Sequence, residues 1–282
     1  MIEEAGALQR QGERFDLRGQ TAIVTGGSGA LGSVLAQSLA AAGVRVAILG
    51  RRMDACQRVA DTITSAGGEA IAVAADVLDR AALDVAAARV AETFGPVELL
   101  VNAAGGNDPR ATTGTATSFF ELDPAGVDAV LRGNFTGTLH ACQVWGRGMA
   151  ERKHGVIVNI SSMAALRPLT RVGIYSASKA AVSNFTQWLA VHMAQEYSPA
   201  IRVNAIAPGF FLTEQNRFLL TDDATGTLTA RGAAIVAHTP QRRFGTPEDI
   251  TGTLLWLASP ASAFVTGIVV PVDGGFAAFG GI

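Results

Sequence analysis

Charge is scarce in this chain. Only 16% of its 282 residues are Asp, Glu, Lys or Arg, and the balance is a net −2. No basic run occurs, so the electrostatic footprint of a nucleic-acid binder is missing. Low charge beside 49% apolar residues excludes a disordered chain and favours a deeply packed one. Cysteine is limited to Cys56 and Cys142, too few for a disulfide framework or a zinc site. Both fall in helix-like segments and read as small buried apolar residues. The histidines, His140, His154, His192 and His238, share no ligand spacing, and no metal is expected. No uninterrupted apolar stretch reaches membrane-span length. The opening MIEEAGALQRQGERF has acids where a secretory signal has lysines and lacks an apolar core. The expectation is a cytoplasmic protein without membrane or nucleic-acid partners. Residues 1–14 read as a flexible tail, and residues 15–282 read as one domain, since no linker, repeat or low-complexity tract interrupts them.

Glycine, by contrast, is plentiful at 32 residues, as tight strand-to-helix turns require. Short β-branched runs at 21–25, 44–49, 69–76, 97–102, 155–161, 200–207 and 267–275 read as strands. Helical patterns occupy 30–43, 53–66, 79–94, 123–152 (one long helix or two short ones), 174–197 and 247–259. This alternation predicts an α/β fold: a Rossmann-type, doubly wound parallel sheet of about seven strands with helices on both faces. Residues 208–245 break the rhythm and read as a substrate lid passing over the sheet's edge.

The segment TGGSGALG (25–32) lies between the first strand and the first helix. Backbone N–H groups and the positive helix end at such a turn suit a pyrophosphate. Gly26 permits the tight turn and Gly32 lets the helix approach the sheet. The acid that would bond the adenine ribose hydroxyls at the end of the second strand is replaced by Gly50-Arg51-Arg52. Two guanidinium groups suit a 2′-phosphate, so NADP(H) is expected over NAD(H). Downstream, Tyr175 and Lys179 in YSASK are four apart and share one helix face. A neighbouring ammonium lowers the pKa of a phenol toward the range useful for acid–base work. Ser162 ends the preceding strand and can hold a substrate oxygen beside Tyr175. Asn134, an uncapped Asn inside an apolar helix, can bend the helix and tether a water leading to Lys179.

These pieces, in this order and spacing, resemble the short-chain dehydrogenase/reductase family over essentially the whole chain from about residue 15. Ser162 precedes Tyr175 by the family's usual interval. The resemblance implies an NAD(P)-dependent alcohol/carbonyl oxidoreductase. Tyr175 would be the proton donor and acceptor, Lys179 would bind the nicotinamide ribose, and Asn134 would carry a relay water. Cofactor contacts would come from Gly26, Ser28, Ala30, Leu31 and Gly32, then from Arg51, Arg52, Asp76 at the adenine amine and Val77 at the ring. Asn102, Ala103 and Gly105 would line the cofactor cleft. Pro208, Gly209 and Thr213 would lie at the carboxamide. Ala30 departs from the family's commoner glycine, which implies a slightly tighter cradle. The likeness also implies a homotetramer.

Three stretches, AGGNDPRATT (104–113), NFTQWLAVHMAQ (184–195) and APGFFLTEQNRFLL with AHTPQRRFG downstream, narrow the resemblance. They are similar to short-chain enzymes that interconvert D-fructuronate and D-mannonate. That group usually has aspartate where Gly50 stands, a departure that bears on the cofactor rather than the substrate. A sugar acid needs a cation and many hydrogen-bonding groups. Asn107, Arg110, Thr112 and Thr113 lie beyond the cleft, and Glu214, Gln215, Asn216 and Arg217 lie in the lid. Arg110 or Arg217 could clamp the carboxylate. The alternatives are another polar substrate (a gluconate, a polyol or a 3-oxoacyl thioester) or a dinucleotide sensor that catalyses nothing.

Overall fold

The computed structural model describes residues 13–115, 117–213, 217–222 and 225–281. Seven parallel strands form one open sheet in the order β3-β2-β1-β4-β5-β6-β7. They are β1 (Thr21–Thr25), β2 (Arg45–Gly50), β3 (Ala70–Ala74), β4 (Leu99–Asn102), β5 (Gly155–Ile160), β6 (Ile201–Pro208) and β7 (Val269–Val272). The central strands are covered on both faces, so they read as continuous apolar runs rather than alternating ones. In β1, Ala22 and Val24 enter one buried cluster while Ile23 enters the other.

Helices α1 (Ala30–Ala41), α2 (Met53–Ser65) and α3 (Arg80–Phe94) connect the first four strands. The expected helical region 123–152 is continuous but mixed. It consists of α4 (Pro124–Leu131), a π-helical turn at Arg132–Thr136 and α5 (Gly137–Arg152). The long α6 (Gly173–Glu196) follows β5. Leu35, Leu39, Ile63, Leu254 and Leu257 pack on one face of the sheet. Leu83, Val90, Trp145, Met149, Phe185 and Met193 pack on the other.

After β6 come α7 (Arg217–Leu220), α8 (Ala230–His238) and α9 (Thr251–Ala258). The 208–245 segment is thus a helical excursion. It is pinned at its ends by a Phe211–Gly245 bridge and internally by a Thr221–Leu228 bridge. The chain is docked already at Arg14, whose carbonyl accepts the Ala261 N–H at 2.8 Å. Residues 1–12 of the expected N-terminal tail lie outside the described residues. No helix among the described residues is long and apolar enough to cross a membrane. Cys56 and Cys142 are free and buried, and burial pushes the Cys142 thiol up to about 12.

All strands point the same way, so their carboxyl ends share one edge. The strand order reverses between β1 and β4, and that crevice is where an open α/β sheet takes a ligand.

Candidate active site

The loop from β1 into α1 is built for close approach. Gly26 has φ +63°, and a Cβ there would lie 2.7 Å from the Ala103 carbonyl oxygen. A Cβ on Gly32 would overlap the Gly26 carbonyl oxygen. Neither space tolerates a side chain. The helix begins at Ala30 behind Gly29, with no side-chain cap. Its first N–H groups at Ala30, Leu31 and Gly32 have no intrahelical acceptor. Ser28 sits against the end of β2: its Oγ would lie 3.1 Å from a Cβ on Gly50. A turn with no room for a Cβ at Gly26 or Gly32, and with free backbone donors at the helix start, fits a dinucleotide pyrophosphate.

Arg51 and Arg52 are exposed where β2 ends, and Arg52 caps α2 through its backbone. Neither forms a salt bridge among the described residues. Past β3, Asp76 accepts the Leu78 N–H at 2.9 Å, which fixes its carboxylate. Val77 is buried against Gly137 and its carbonyl meets His140 Nδ1 at 3.1 Å.

Asn102 ends β4 with its side chain buried. Nδ2 donates to Asn159 Oδ1 at 2.9 Å, and Oδ1 accepts from Thr25 Oγ1 at 3.4 Å. Asn159 Nδ2 in turn donates to Thr186 Oγ1 at 2.9 Å. Four polar groups on β1, β4, β5 and α6 thereby satisfy one another, as buried polar groups must. Thr25, Asn159 and Thr186 were not singled out by the sequence reading. The lone Asn in GVIVNIS was the available signal. Ala103, next in the chain, does reach the cradle through its carbonyl beside Gly26.

Asn134 occupies the π-helical turn and is wholly buried. Both Nδ2 hydrogens are committed, to Gly106 O at 2.7 Å and to Val130 O at 2.9 Å, while Oδ1 accepts the Gly106 N–H at 3.1 Å. Its amide holds the loop after β4. Gly105 has φ +141°, and a Cβ there would overlap Asn134 Oδ1.

Ser162, Tyr175 and Lys179 converge where β5 ends and α6 begins. Ser162 is buried, and its Oγ accepts the Ala164 N–H at 3.1 Å. Its hydroxyl hydrogen is left for another acceptor. Lys179 Nζ donates to Ile160 O at 2.8 Å and lies 5.8 Å from the centre of the Tyr175 ring. The ammonium is buried with no ion-pair partner among the described residues. Burial pulls its pKa down to about 8. The phenol departs from expectation: burial pushes Tyr175 above its ordinary value, with Ser162 acting in the opposite sense. Desolvation disfavours the charged phenolate. Two titratable groups held away from their ordinary values in one crevice mark a site for proton transfer.

Of the expected substrate groups, Asn107 donates to Thr112 Oγ1 at 2.8 Å within its own loop. Arg110 is committed: Nε and Nη2 grip the Asp108 carboxylate at 3.1 and 2.8 Å, and Nη1 lies 3.6 Å from Asp123. A guanidinium already holding two carboxylates is less available to a third. Arg217 is exposed at the start of α7, and its N–H bonds Thr213 O at 2.9 Å. Glu214, Gln215 and Asn216 lie outside the described residues. Pro208 ends β6, and the Gly209 N–H bonds Val272 O at 2.9 Å, with Asp273 packed so close that no Cβ fits. No group of three His, Cys, Asp or Glu residues that could hold a metal occurs among the described residues.

Residues 20–224 match the family model of the short chain dehydrogenases. The uncharacterised oxidoreductase UxuB of Bacillus subtilis is 51% identical over 95% of this chain and 98% of its own length. A crystal structure from Haemophilus influenzae, provisionally named a D-mannonate oxidoreductase and holding NAD, is 41% identical. It covers 95% of this chain and 98% of its own, with a TM-score of 0.89. A gluconate 5-dehydrogenase of Burkholderia cenocepacia, with NADP and tartrate, is 31% identical over 94% of this chain and 98% of its own, with a TM-score of 0.83. With the crevice, the cradle and the Ser-Tyr-Lys group all in place, the chain belongs to the short-chain dehydrogenase family and is an alcohol/carbonyl oxidoreductase.

Proposed function

We propose that this enzyme interconverts D-fructuronate and D-mannonate, or a closely similar keto and hydroxy sugar acid, using NADP(H) in preference to NAD(H). We further place it in the cytoplasm as a homotetramer. The observation that carries the substrate reading is the 41% identity to the H. influenzae protein provisionally named a D-mannonate oxidoreductase. The polar 106–113 loop supports it, because a steroid or fatty-acyl substrate would want apolar groups there. Exposed Arg51 and Arg52 support the phosphate-bearing cofactor, since neither forms a salt bridge among the described residues.

The bound dinucleotide would supply or accept the hydride. Gly26, Ser28 and the first N–H groups of α1 would hold its pyrophosphate. Asp76, Val77, Gly105 and the 208–213 stretch, with Thr213, would hold its two ends. Ser162 Oγ would donate to the substrate oxygen and fix it beside Tyr175. Tyr175 Oη would give its proton to that oxygen as negative charge develops there, and would take it back in the reverse direction. Lys179 would place its remaining N–H donors on the ribose and stabilise the phenolate. Asn134 would keep the 105–106 turn in place.

A gluconate is the second reading, favoured by likeness to the B. cenocepacia gluconate 5-dehydrogenase. The test is a rate comparison with NADPH and NADH on D-fructuronate, 5-ketogluconate, a ketose and a 3-oxoacyl thioester. Highest kcat/KM on D-fructuronate with NADPH is expected. Turnover of the thioester with none on either sugar acid would overturn the reading. Against a sensor role, Tyr175→Phe should reduce turnover by ~10²-fold or more with cofactor binding nearly unchanged. Unaltered rates would favour the sensor.

A further inference from the structure

We infer that Arg171 is the cation that receives the carboxylate of the substrate. The inference rests on the sugar-acid reading above and adds to it the residue that makes the pocket selective for an acid.

The first observation is strain. Among the described residues, three non-glycine residues have left-handed backbone, Lys153, Arg171 and Arg242. Lys153 follows the last turn of α5, where such a conformation ends helices routinely. Arg242 closes a turn onto Thr239 O. Arg171, with φ +71°, terminates no helix and lies two residues before α6. A strained residue persists only where its surroundings impose the conformation, and such residues gather at ligand sites.

The second observation is what imposes it. The Arg171 carbonyl accepts the Thr113 N–H at 2.9 Å and faces Thr113 Oγ1 at 3.4 Å. Thr113 belongs to the loop leaving β4, and Arg171 to the segment joining β5 to α6. Those loops leave neighbouring strands at the carboxyl edge of the sheet. Arg171 is therefore held where the two meet, four residues before Tyr175.

The third observation concerns charge. Arg110 is taken by Asp108 and Asp123. Arg167, on the same segment as Arg171, donates Nε to Ala277 O at 3.1 Å. The exposed Arg171 guanidinium has neither an ion pair nor a hydrogen bond among the described residues. An arginine whose backbone is held and whose guanidinium has no internal partner among the described residues is suited to a planar oxyanion. The chemistry of the substrate agrees. In a hexuronate the carboxylate lies at the far end from the reacting ketone, about 5 Å away in an extended chain. Its cation therefore belongs at the rim of the crevice and not beside Ser162.

The test separates guanidinium from backbone. Glycine adopts φ +71° freely, so Arg171→Gly removes the cation and keeps the loop. Arg171→Lys keeps a charge without the bidentate fork. KM and kcat for D-fructuronate are measured with the coenzyme the wild type prefers, alongside the Kd of that coenzyme and the melting temperature. In Arg171→Gly, a rise in KM of roughly 10- to 100-fold is expected, the loss of a charge-assisted pair. The kcat, coenzyme Kd and melting temperature should stay near the wild-type values, and Arg171→Lys should be intermediate. Unchanged KM overturns the proposal. So does a KM rise that appears in Arg217→Ala instead, or a parallel fall in kcat and coenzyme affinity, which would assign Arg171 to loop structure. Failure of the wild-type enzyme to reduce any sugar acid would instead sink the substrate reading.

Discussion

Asn134 and Gly106 bond each other in both directions: Nδ2 donates to the Gly106 carbonyl at 2.7 Å, and Oδ1 accepts the Gly106 N–H at 3.1 Å. The pair joins the π-helical turn to the loop leaving β4, beside the cofactor cleft. Asn134→Ala would leave both groups of the Gly106 peptide without their partner. The expected cost is about 1–3 kcal/mol of stability, read by urea denaturation, with a fall in turnover as the loop loosens. Asn134→Asp keeps the acceptor but loses the donor, and should lose more activity than stability. A wild-type denaturation midpoint in Asn134→Ala would refute the clasp.

Lys179 makes stability depend on pH in a defined direction. Its pKa is lowered from 10.5 to about 8. Between those values the unfolded chain holds the proton and the folded chain does not. Folding free energy therefore improves as pH rises through that window, and the burial penalty is fully present below it. Relative to Lys179→Met, the wild type should gain on the order of 2 kcal/mol between pH 8 and 10. Tyr175, raised by burial, acts the other way only above pH 10. Parallel pH profiles for the two proteins would contradict the assignment.

The cradle should be intolerant at one position and tolerant at its neighbour. A Cβ on Gly32 meets backbone, the Gly26 carbonyl, and backbone cannot rotate away. Gly32→Ala should cost about 1–3 kcal/mol and weaken coenzyme binding severalfold. Ala30→Gly opens space at the helix start and should leave the coenzyme Kd near wild type. Equal Kd values for both variants, measured by fluorescence titration, would mean that the turn does not carry the pyrophosphate.

Arg51→Ala distinguishes a phosphate clamp from a solvated side chain. The expected result is a KM increase for NADPH of roughly tenfold, with NADH unchanged. Equal effects, or none, with the two coenzymes would remove Arg51 from the cofactor site. A double variant with Arg52 should deepen the effect if both guanidinium groups share the phosphate.

Local order made much of this molecule legible in the amino-acid string. Strand-and-helix alternation pointed to the parallel sheet, because parallel neighbours need a crossover of about a helix's length. The placement of Gly26 and Gly32 between β1 and α1 marked the cradle. Tyr175 and Lys179 share a face by helical spacing alone. Less legible were partners distant in the chain. Arg110 reads as a candidate carboxylate clamp, and only the fold brings Asp123 to within 3.6 Å of it. Asn102 reads as lining the cleft, and only the pairing of β4 with β5 shows its side chain bonded to Asn159 on the adjacent strand. Helices α7 (RFLL) and α8 (ARGAAIVAH) are short apolar pieces set among threonines and prolines, so no extended helical period announces them.

The residues in their linear order determine the sheet, its crossovers and the chemical groups available at its carboxyl edge, since these follow from periodicity and from spacings of a few residues. Which groups are already engaged is decided in three dimensions. Tyr175 is pushed up and Lys179 down by the protein packed around them, and Arg171 is held beside Thr113 by a hydrogen bond across 58 positions. Desolvation and long-range pairing depend on what surrounds an atom, and only the folded chain supplies those surroundings.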